Sequence, residues 1–218
     1  MPDPNLFRLR VEYRKQGRLA LLSHLEIARA LERAVRRADL PFAVSQGFSP
    51  HMKIAFGSAL PVGVGSTCEI FDLQMTRYVA PEKALAALQA ASVPDLMPHG
   101  CRYIGPRDAA ASVAYPVAAY RAEVSRAPEG GLPMPDEVHV VRKKKEKVLR
   151  VADYLVAPLA VDGASVTFEL EAKPTGSLRS DVLLKACVDA WNDERAFEGA
   201  GDPLRILSIT RTAQRAMR

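Results

Sequence analysis

The pattern of the sequence predicts an α+β fold made of two ferredoxin-like lobes, each an antiparallel sandwich of the βαββαβ type. In the first half, strand and helix patterns follow the order β-α-β-β-α-β with one extra hairpin strand. In the second half, a strand–strand–helix–strand series recurs. A small, polar, proline-marked stretch at 105–118 lies between them and is predicted to be a linker. We therefore expect an N-terminal lobe at residues 1–105 and a C-terminal lobe at residues 119–218.

The N-terminal lobe is predicted to begin with a half-buried strand and a capped helix. From Leu6 to Tyr13, charged residues interleave with apolar ones, which is the period of a strand with one buried face. Ser23 and Glu26 have the spacing of a capping box, and the apolar residues after them recur at helical spacing. Because a residue before proline is pushed out of the α region, Leu40-Pro41 ends the helix predicted at 23–38.

The remaining elements of this lobe follow from shorter patterns. Pro81 suits the first turn of a helix, and the residues PEKALAALQAA are rich in helix formers. Alternation and short apolar runs predict four more strands, at 42–45, 53–58, 68–76 and 97–104.

The C-terminal lobe is predicted from alternation and from one helix with serine caps. Ser177 and Ser180 offer N-caps to a helix that runs through Trp191, after a turn at 173–176. The basic segment RKKKEKVLRVADYL follows a loop-rich stretch and is interpreted as a solvated hairpin. Strands are predicted at 119–125, 166–172 and 204–211.

Composition and charge narrow the classes of function. The chain has 218 residues, a formal net charge of +5 and a pI near 9.2, which permits an anionic partner. Its three cysteines form no CxxC pair, which argues against a disulfide framework or an iron–sulfur cluster. We predict no cofactor and no bound metal, since no Walker loop, GxGxxG or HExxH motif occurs. The sequence has no apolar run of about 20 residues and no signal-peptide pattern. We therefore expect a soluble cytoplasmic protein with no membrane partner.

The predicted helix at 23–38 carries a candidate nucleic-acid interface. Four arginines recur opposite its apolar stripe, at a spacing that suits a phosphate backbone. The alternative is a solvated face supported by an ion pair between Glu32 and Arg36. The run from Arg142 to Arg150, with six basic residues and one acidic residue, is a second candidate. The predicted nucleic-acid contacts are Arg29, Arg33, Arg36, Arg37, Lys143, Lys144 and Lys145.

Two histidines and a lysine are the candidate catalytic residues. His24 at the start of the helix and His51 in the loop GFSPHMK are a possible general acid and base, since imidazole titrates near neutral pH. With Lys53 stabilising the developing charge, they would cleave a phosphodiester without a metal. The alternative is structural, with His24 bonded to the first helical turn and His51 ordering the loop. A metal site of His24, His51 and Glu69 has no sequential signature.

The aromatic residue of the same loop has two interpretations. Gly47 and Ser49-Pro50 flank Phe48, a large apolar side chain in an otherwise polar loop. Burial of a Phe contributes about 1.5–3 kcal/mol, so Phe48 is predicted to anchor the loop. It would then hold His51 and Lys53 at the helix N-terminus as an anion-binding corner. The competing hypothesis leaves Phe48 exposed to stack on a base.

These segments together resemble the signature of a bacterial family known as the radical-SAM-linked protein, of the form SHLD…R-A-x-R-R-A-x-L-P…S-x-GFNPHPK…P-L-P-x-G…E. The resemblance is dense over residues 7–75 and continues more weakly through VVRKKKEKVLRVADYL and SLRSDVLLKA. Glu26, Ser49 and Met52 stand where the family usually has Asp, Asn and Pro. The matching positions are 23–26, 33–34, 36–38, 40–41, 45, 47–51, 53, 60–61, 63 and 69.

The resemblance implies association with a cobalamin-binding radical-SAM protein, to which family members are often fused or gene-adjacent, and proximity to RNA-processing genes. It implies no known reaction and assigns no catalytic residue. One hypothesis is therefore an RNA-binding accessory protein, with tRNA as a candidate, that works with a radical-SAM partner in RNA modification or processing. The other is a metal-independent RNA-cleaving enzyme that uses His24 and His51. By fold analogy alone, paired ferredoxin-like lobes with a basic cleft resemble CRISPR repeat-processing endoribonucleases.

Overall fold

The computed structural model describes residues 6–142, 145–196 and 202–216. The chain divides into two compact units, Met1–Tyr115 and Pro116–Arg218. Each unit combines antiparallel strands with a small number of helices, in agreement with the predicted α+β class. The finer prediction of separate lobes at 1–105 and 119–218 stays a prediction. Within the described ranges, no helix has the length and apolar character needed to cross a membrane.

The first unit follows the order strand, helix, strand, strand, helix, strand. Its elements are β1 (Phe7–Lys15), α1 (His24–Arg37), β2 (Ile54–Phe56), β3 (Val64–Met75), α2 (Pro81–Ala91), β4 (Leu96–Ile104) and the one-turn α3 (Ala111–Ala114). The strands lie in the order β4-β1-β3-β2, and every neighbouring pair is antiparallel.

The sheet of the first unit has two different faces, because successive side chains of a strand project to opposite sides. Leu9 of β1 lies opposite Leu73 of β3, and both are fully buried in a core that α1 and α2 complete. One residue further along, Arg10 lies opposite Asp72 on the other face. One face therefore builds the hydrophobic core, while the other carries charged side chains.

The first helix begins as its capping box predicts. The Ser23 N–H and hydroxyl donate to Glu26 Oε2 at 2.8 and 2.7 Å, and the Glu26 N–H donates to Ser23 Oγ at 3.4 Å. The hydrogen bonds from the Ser23 side chain and backbone hold the pKa of the Glu26 carboxyl below its ordinary value. Ile27 and Val35 belong to the buried stripe, and the helix ends at Arg37, within one residue of the prediction.

Three predicted strands of the first unit differ from the structure. Residues 42–45 form only isolated bridges, Phe42 with Met75 and Val44 with Met52, instead of a strand. β2 covers 54–56 rather than 53–58. β3 begins at Val64 rather than at 68, because its first residues are small and buried on both faces, which removes the alternation that marks a strand.

The second unit contains one long helix, a sheet and a separate hairpin. Its elements are β5 (Val117–Val124), β6 (Glu137–Arg142), β7 (Lys145–Arg150), β8 (Leu155–Asp162), β9 (Ser165–Glu171), α4 (Ser180–Ala196) and β10 (Ile206–Arg215). The antiparallel sheet has the order β10-β5-β9-β8, and β6 pairs with β7. Trp191 on α4 and Phe168 on β9 are both buried.

The second unit departs from the predicted βαββαβ order. Between β5 and β8, its described residues form the β6–β7 hairpin and a short 3-10 turn at Val151–Asp153, where that order has its first helix. The segment PEGGLPMP, rich in proline and glycine, excludes a helix there. β8 was not predicted either, because Pro158 interrupts it and most of its side chains are exposed.

Candidate nucleic-acid interface

The four arginines of α1 lie on one side of the helix. With 3.6 residues per turn, positions 29, 33, 36 and 37 fall within an arc of about 100° opposite the buried stripe. All four side chains are exposed. Within the described part of the chain none forms a salt bridge, so the predicted Glu32–Arg36 pair is not made. The Arg36 guanidinium lies 5.2 Å from the centroid of the Phe42 ring. We call this surface the arginine face.

The predicted basic run maps to the β6–β7 hairpin. Lys143 and Lys144 lie outside the described residues, and Lys145 is the first residue of β7. In the described strands, His139 Nδ1 and Glu146 Oε1 are 2.8 Å apart. Glu137 is the register partner of Arg150. The described part of this hairpin therefore mixes acidic and basic residues.

His24 is the first residue of α1, and its ring packs against an aromatic side chain. The His24 and Phe56 ring centroids are 5.5 Å apart with an interplanar angle of 89°, an edge-to-face contact. Phe56 in turn lies 6.1 Å from the Phe71 ring of the core. The imidazole of His24 thus sits on the core side of the sheet, at the edge of the helix layer.

The loop at 45–51 is closed at its base and exposed at its tip. The Ser45 N–H donates to the His51 carbonyl at 2.8 Å, and the His51 N–H donates to Ser45 Oγ at 3.0 Å. Gly47 has a φ of +122°, a conformation that side-chain-bearing residues rarely adopt. The Phe48 side chain is completely exposed, so the prediction that it anchors the loop in the core is wrong. A polar loop that closes through Ser45 and His51 does not need a buried aromatic.

Lys53 faces away from His24. The Lys53 carbonyl accepts a hydrogen bond from the Gln74 N–H at 2.9 Å, and two residues on, Ala55 is the register partner of Asp72. Lys53 therefore shares the charged face of the sheet, while Phe56 and its neighbour His24 share the core face. His24 and Lys53 thus lie on opposite faces of the sheet, and His51 lies in the exposed loop. In the predicted anion-binding corner, Lys53 would lie beside the start of α1, but it lies on the other face of the sheet.

Lys53 instead lines a cavity on the charged face of the first unit. This cavity has a volume of about 830 Å³, within the usual range for small-molecule sites. Strands β1 to β4 form one side of it, and residues 106–110 contribute the other. Its lining combines charged, polar and aromatic side chains, among them Arg8, Lys53, Asp72, Gln74, Tyr78 and Tyr103.

A buried ionic network borders this cavity. Arg10 Nε and a terminal nitrogen donate to the two Asp72 carboxylate oxygens at 2.7 and 2.9 Å, and Arg8 donates to Asp72 at 2.7 Å. The Ala111 N–H adds a bond to Asp72 at 3.0 Å. Arg10 and Asp72 are only 4% and 2% exposed. Burial alone would raise the pKa of the Asp72 carboxyl, but the hydrogen bonds and charges of Arg10 and Arg8 outweigh burial and lower it.

The same network holds residues 108–111 on the sheet. Arg8 donates to the Asp108 carbonyl at 2.8 Å, and Arg10 donates to the Ala109 carbonyl at 2.6 Å. The part of the predicted linker that lies in the first unit is therefore packed against β1 and β3. Sequence reasoning missed this network, although the alternation of β1 already placed Arg8 and Arg10 on one face. The missing information was the register that sets Asp72 opposite Arg10.

The described residues include potential metal ligands and three cysteines, two of which have a raised thiol pKa. Among the described residues, no three His, Cys, Asp or Glu side chains are grouped so as to hold a metal ion. Burial raises the pKa of the Cys187 thiol to about 11 and also raises that of Cys101. At neutral pH both thiols are protonated and therefore weak nucleophiles.

The fold and the site together define an α+β protein with a helix face of four exposed arginines and a polar cavity. Residues 8–157 match the model of the family described as "Uncharacterized protein conserved in bacteria (DUF2344)". Because this match covers more than half of the 218 residues, the chain belongs to that family. No curated protein matches the chain.

Proposed function

We propose that this protein binds RNA, with the arginine face of α1 as its phosphate-binding surface. The observation that carries the proposal is the set of four exposed guanidinium groups on one side of α1, none of them in a salt bridge within the described residues. Exposed arginines outside salt bridges remain available for phosphates, and guanidinium matches phosphate with two parallel hydrogen bonds. From Arg29 to Arg37 the helix rises about 12 Å, enough to follow a few successive nucleotides.

The exposed Phe48 supports single-stranded rather than duplex RNA as the ligand. A fully exposed phenylalanine costs solvation free energy unless something covers it, and single-strand-binding proteins use such rings to stack on bases. The closed base of the loop, through Ser45 and His51, holds the ring away from the core. An RNA strand would then have a stacking contact and a phosphate contact from neighbouring segments of one unit.

Two finer statements belong to the same proposal. We infer a ferredoxin-like fold for residues 7–104, supported by their βαββαβ order and by the strand order β4-β1-β3-β2. We also infer that the protein presents RNA to a radical-SAM partner, supported by the resemblance of residues 7–75 to the radical-SAM-linked signature. RNA modification or processing is the class of reaction that we propose for this protein together with its radical-SAM partner.

The test is RNA binding by an arginine variant over a range of salt concentrations. Each phosphate contact to a single strand adds about 0.7 to the slope of log affinity against log salt, so Arg33→Ala/Arg37→Ala should lower that slope by about 1.4. The matched control is Arg77→Ala/Lys83→Ala, which removes the same charge from exposed positions of the first unit outside α1. Fluorescence anisotropy with a labelled single strand and with labelled tRNA measures both quantities. Equal slopes for the two double variants would refute the arginine face as the RNA site.

A further inference from the structure

Among the described residues, the cavity on the charged face of the first unit contains one cation without a counter-charge. Arg8 and Arg10 are both bound to Asp72 and to backbone carbonyls. The Lys53 ammonium, by contrast, makes no hydrogen bond or ion pair with any described residue, although the side chain is half-buried. A partly desolvated ammonium without a partner favours an anion beside it.

A polar amide beside Lys53 is also without a partner. Gln74 lines the cavity, lies opposite Arg8 in the register of β1 and β3, and its side chain has no hydrogen bond within the described residues. A glutamine amide offers both donors and an acceptor in one plane. That combination fits the edge of a nucleobase, which also presents donors and acceptors side by side.

An aromatic cluster borders the cavity at the end of the sheet, where Tyr103 lies opposite the core residue Leu9 in the register of β1 and β4. The Tyr78 and Tyr103 rings are stacked with centroids 4.9 Å apart, and Phe7 meets both edge-on at about 6 Å. Tyr103 is fixed because its hydroxyl donates to the Val79 carbonyl and accepts from the Val79 N–H. Tyr78 remains 58% exposed, but Tyr103 packs against the hydrophobic core, so the cluster lies on the core side of the sheet and is not assigned to the ligand.

We propose that this cavity binds one ribonucleotide, with its phosphate on Lys53 and the edge of its base on Gln74. The cavity volume of about 830 Å³ accommodates a ligand of this size. The inference rests on the proposed function in taking RNA as the ligand class, and it places a single nucleotide at a surface distinct from the arginine face. Lys53 is here a phosphate-binding residue, which differs from the catalytic role expected from its neighbourhood to His51.

The experiment is calorimetric titration of the full chain with AMP, UMP, GMP and CMP, each compared with its nucleoside and with inorganic phosphate. At least one nucleotide should bind, and both its nucleoside and inorganic phosphate should bind about tenfold more weakly. Lys53→Ala and Gln74→Ala should each weaken nucleotide binding by about tenfold, while the control Lys83→Ala should leave it unchanged. Thermal melting of each variant shows whether the fold is retained.

The outcomes separate this inference from RNA binding at α1. If no nucleotide saturates the protein, or if Lys53→Ala and Lys83→Ala bind it equally, the cavity assignment is overturned. Equal affinity for inorganic phosphate overturns the base contact. The variant Arg33→Ala/Arg37→Ala should retain mononucleotide binding while losing RNA affinity. If a variant loses RNA binding but keeps mononucleotide binding, or the reverse, the result therefore shows which of the two proposals has failed.

Discussion

Asp72 is the residue whose removal should most destabilise the first unit. Its carboxylate accepts four hydrogen bonds at 2.7–3.0 Å, two from Arg10, one from Arg8 and one from the Ala111 N–H. Asp72→Ala would leave the Arg10 guanidinium buried without a counter-charge, since arginine does not lose its proton in proteins. Breaking a buried pair in this way costs about 3–5 kcal/mol of unfolding free energy.

The assay is urea unfolding followed by far-UV circular dichroism, with hydrogen exchange of the β1 and β3 amides to locate the loss in the first unit. The matched control is Asp108→Ala, because the exposed Asp108 carboxylate accepts a bond from the Gly105 N–H at 2.8 Å, and its loss should cost about 1 kcal/mol. A second variant, Arg10→Met/Asp72→Leu, removes both charges and should lose less than Asp72→Ala alone.

The pH dependence of stability gives an independent readout of the same network. The folded-state pKa of Asp72 is lower than its unfolded value of about 3.9. Its stabilising contribution is therefore fully present above about pH 4 and is lost as the pH falls through the folded-state pKa. In wild type the unfolding free energy should fall more steeply below pH 4 than in Asp72→Ala. A loss under about 1 kcal/mol for Asp72→Ala at pH 7, with parallel acid profiles, would refute this account of the network.

Two more variants test local features of the first unit. Ser23→Ala removes the N-cap of α1 and should lower the unfolding free energy by about 0.5–2 kcal/mol, measured by urea unfolding, whereas an unchanged value would mean that water replaces the cap. Phe48→Ala should leave the melting temperature unchanged and weaken single-stranded RNA binding by about 1–3 kcal/mol, while Phe48→Trp should retain binding. A lower melting temperature for Phe48→Ala would contradict the exposed position of the ring.

Local signals in the sequence were sufficient where the cause of the structure is itself local. The capping box of Ser23 and Glu26 and the proline at 41 place both ends of α1 to within a residue, because each acts within one helical turn. The alternation from Leu6 to Tyr13 identified β1 because one face of it is buried. The strand β8 was missed because an exposed edge strand with Pro158 has no buried face to produce a pattern.

Features that depend on contacts distant in sequence were not predictable in this way. The Arg10–Asp72 pair joins residues 62 positions apart, and only the register of β1 and β3 sets them opposite each other. Phe48 is predicted to anchor the loop to the helix because burial of an aromatic side chain is favourable. The loop nevertheless closes through polar groups of Ser45 and His51, and hydrophobicity alone does not position a side chain that its backbone holds outward.

Side chains alternate between the two faces of a strand, and for this reason residues of one short motif lie on two different surfaces. In GFSPHMK and the strand after it, Phe48 and His51 belong to an exposed loop, while Lys53 lies on the charged face of the sheet and lines the cavity. Ile54 and Phe56, one and three residues later, turn to the core, where Phe56 meets His24. Residues adjacent in sequence thus lie on separate surfaces, because each step along a strand reverses the face. Closeness in the sequence motif is therefore poor evidence for a shared catalytic centre here, and the unpaired charges on each surface are the better guide to ligands.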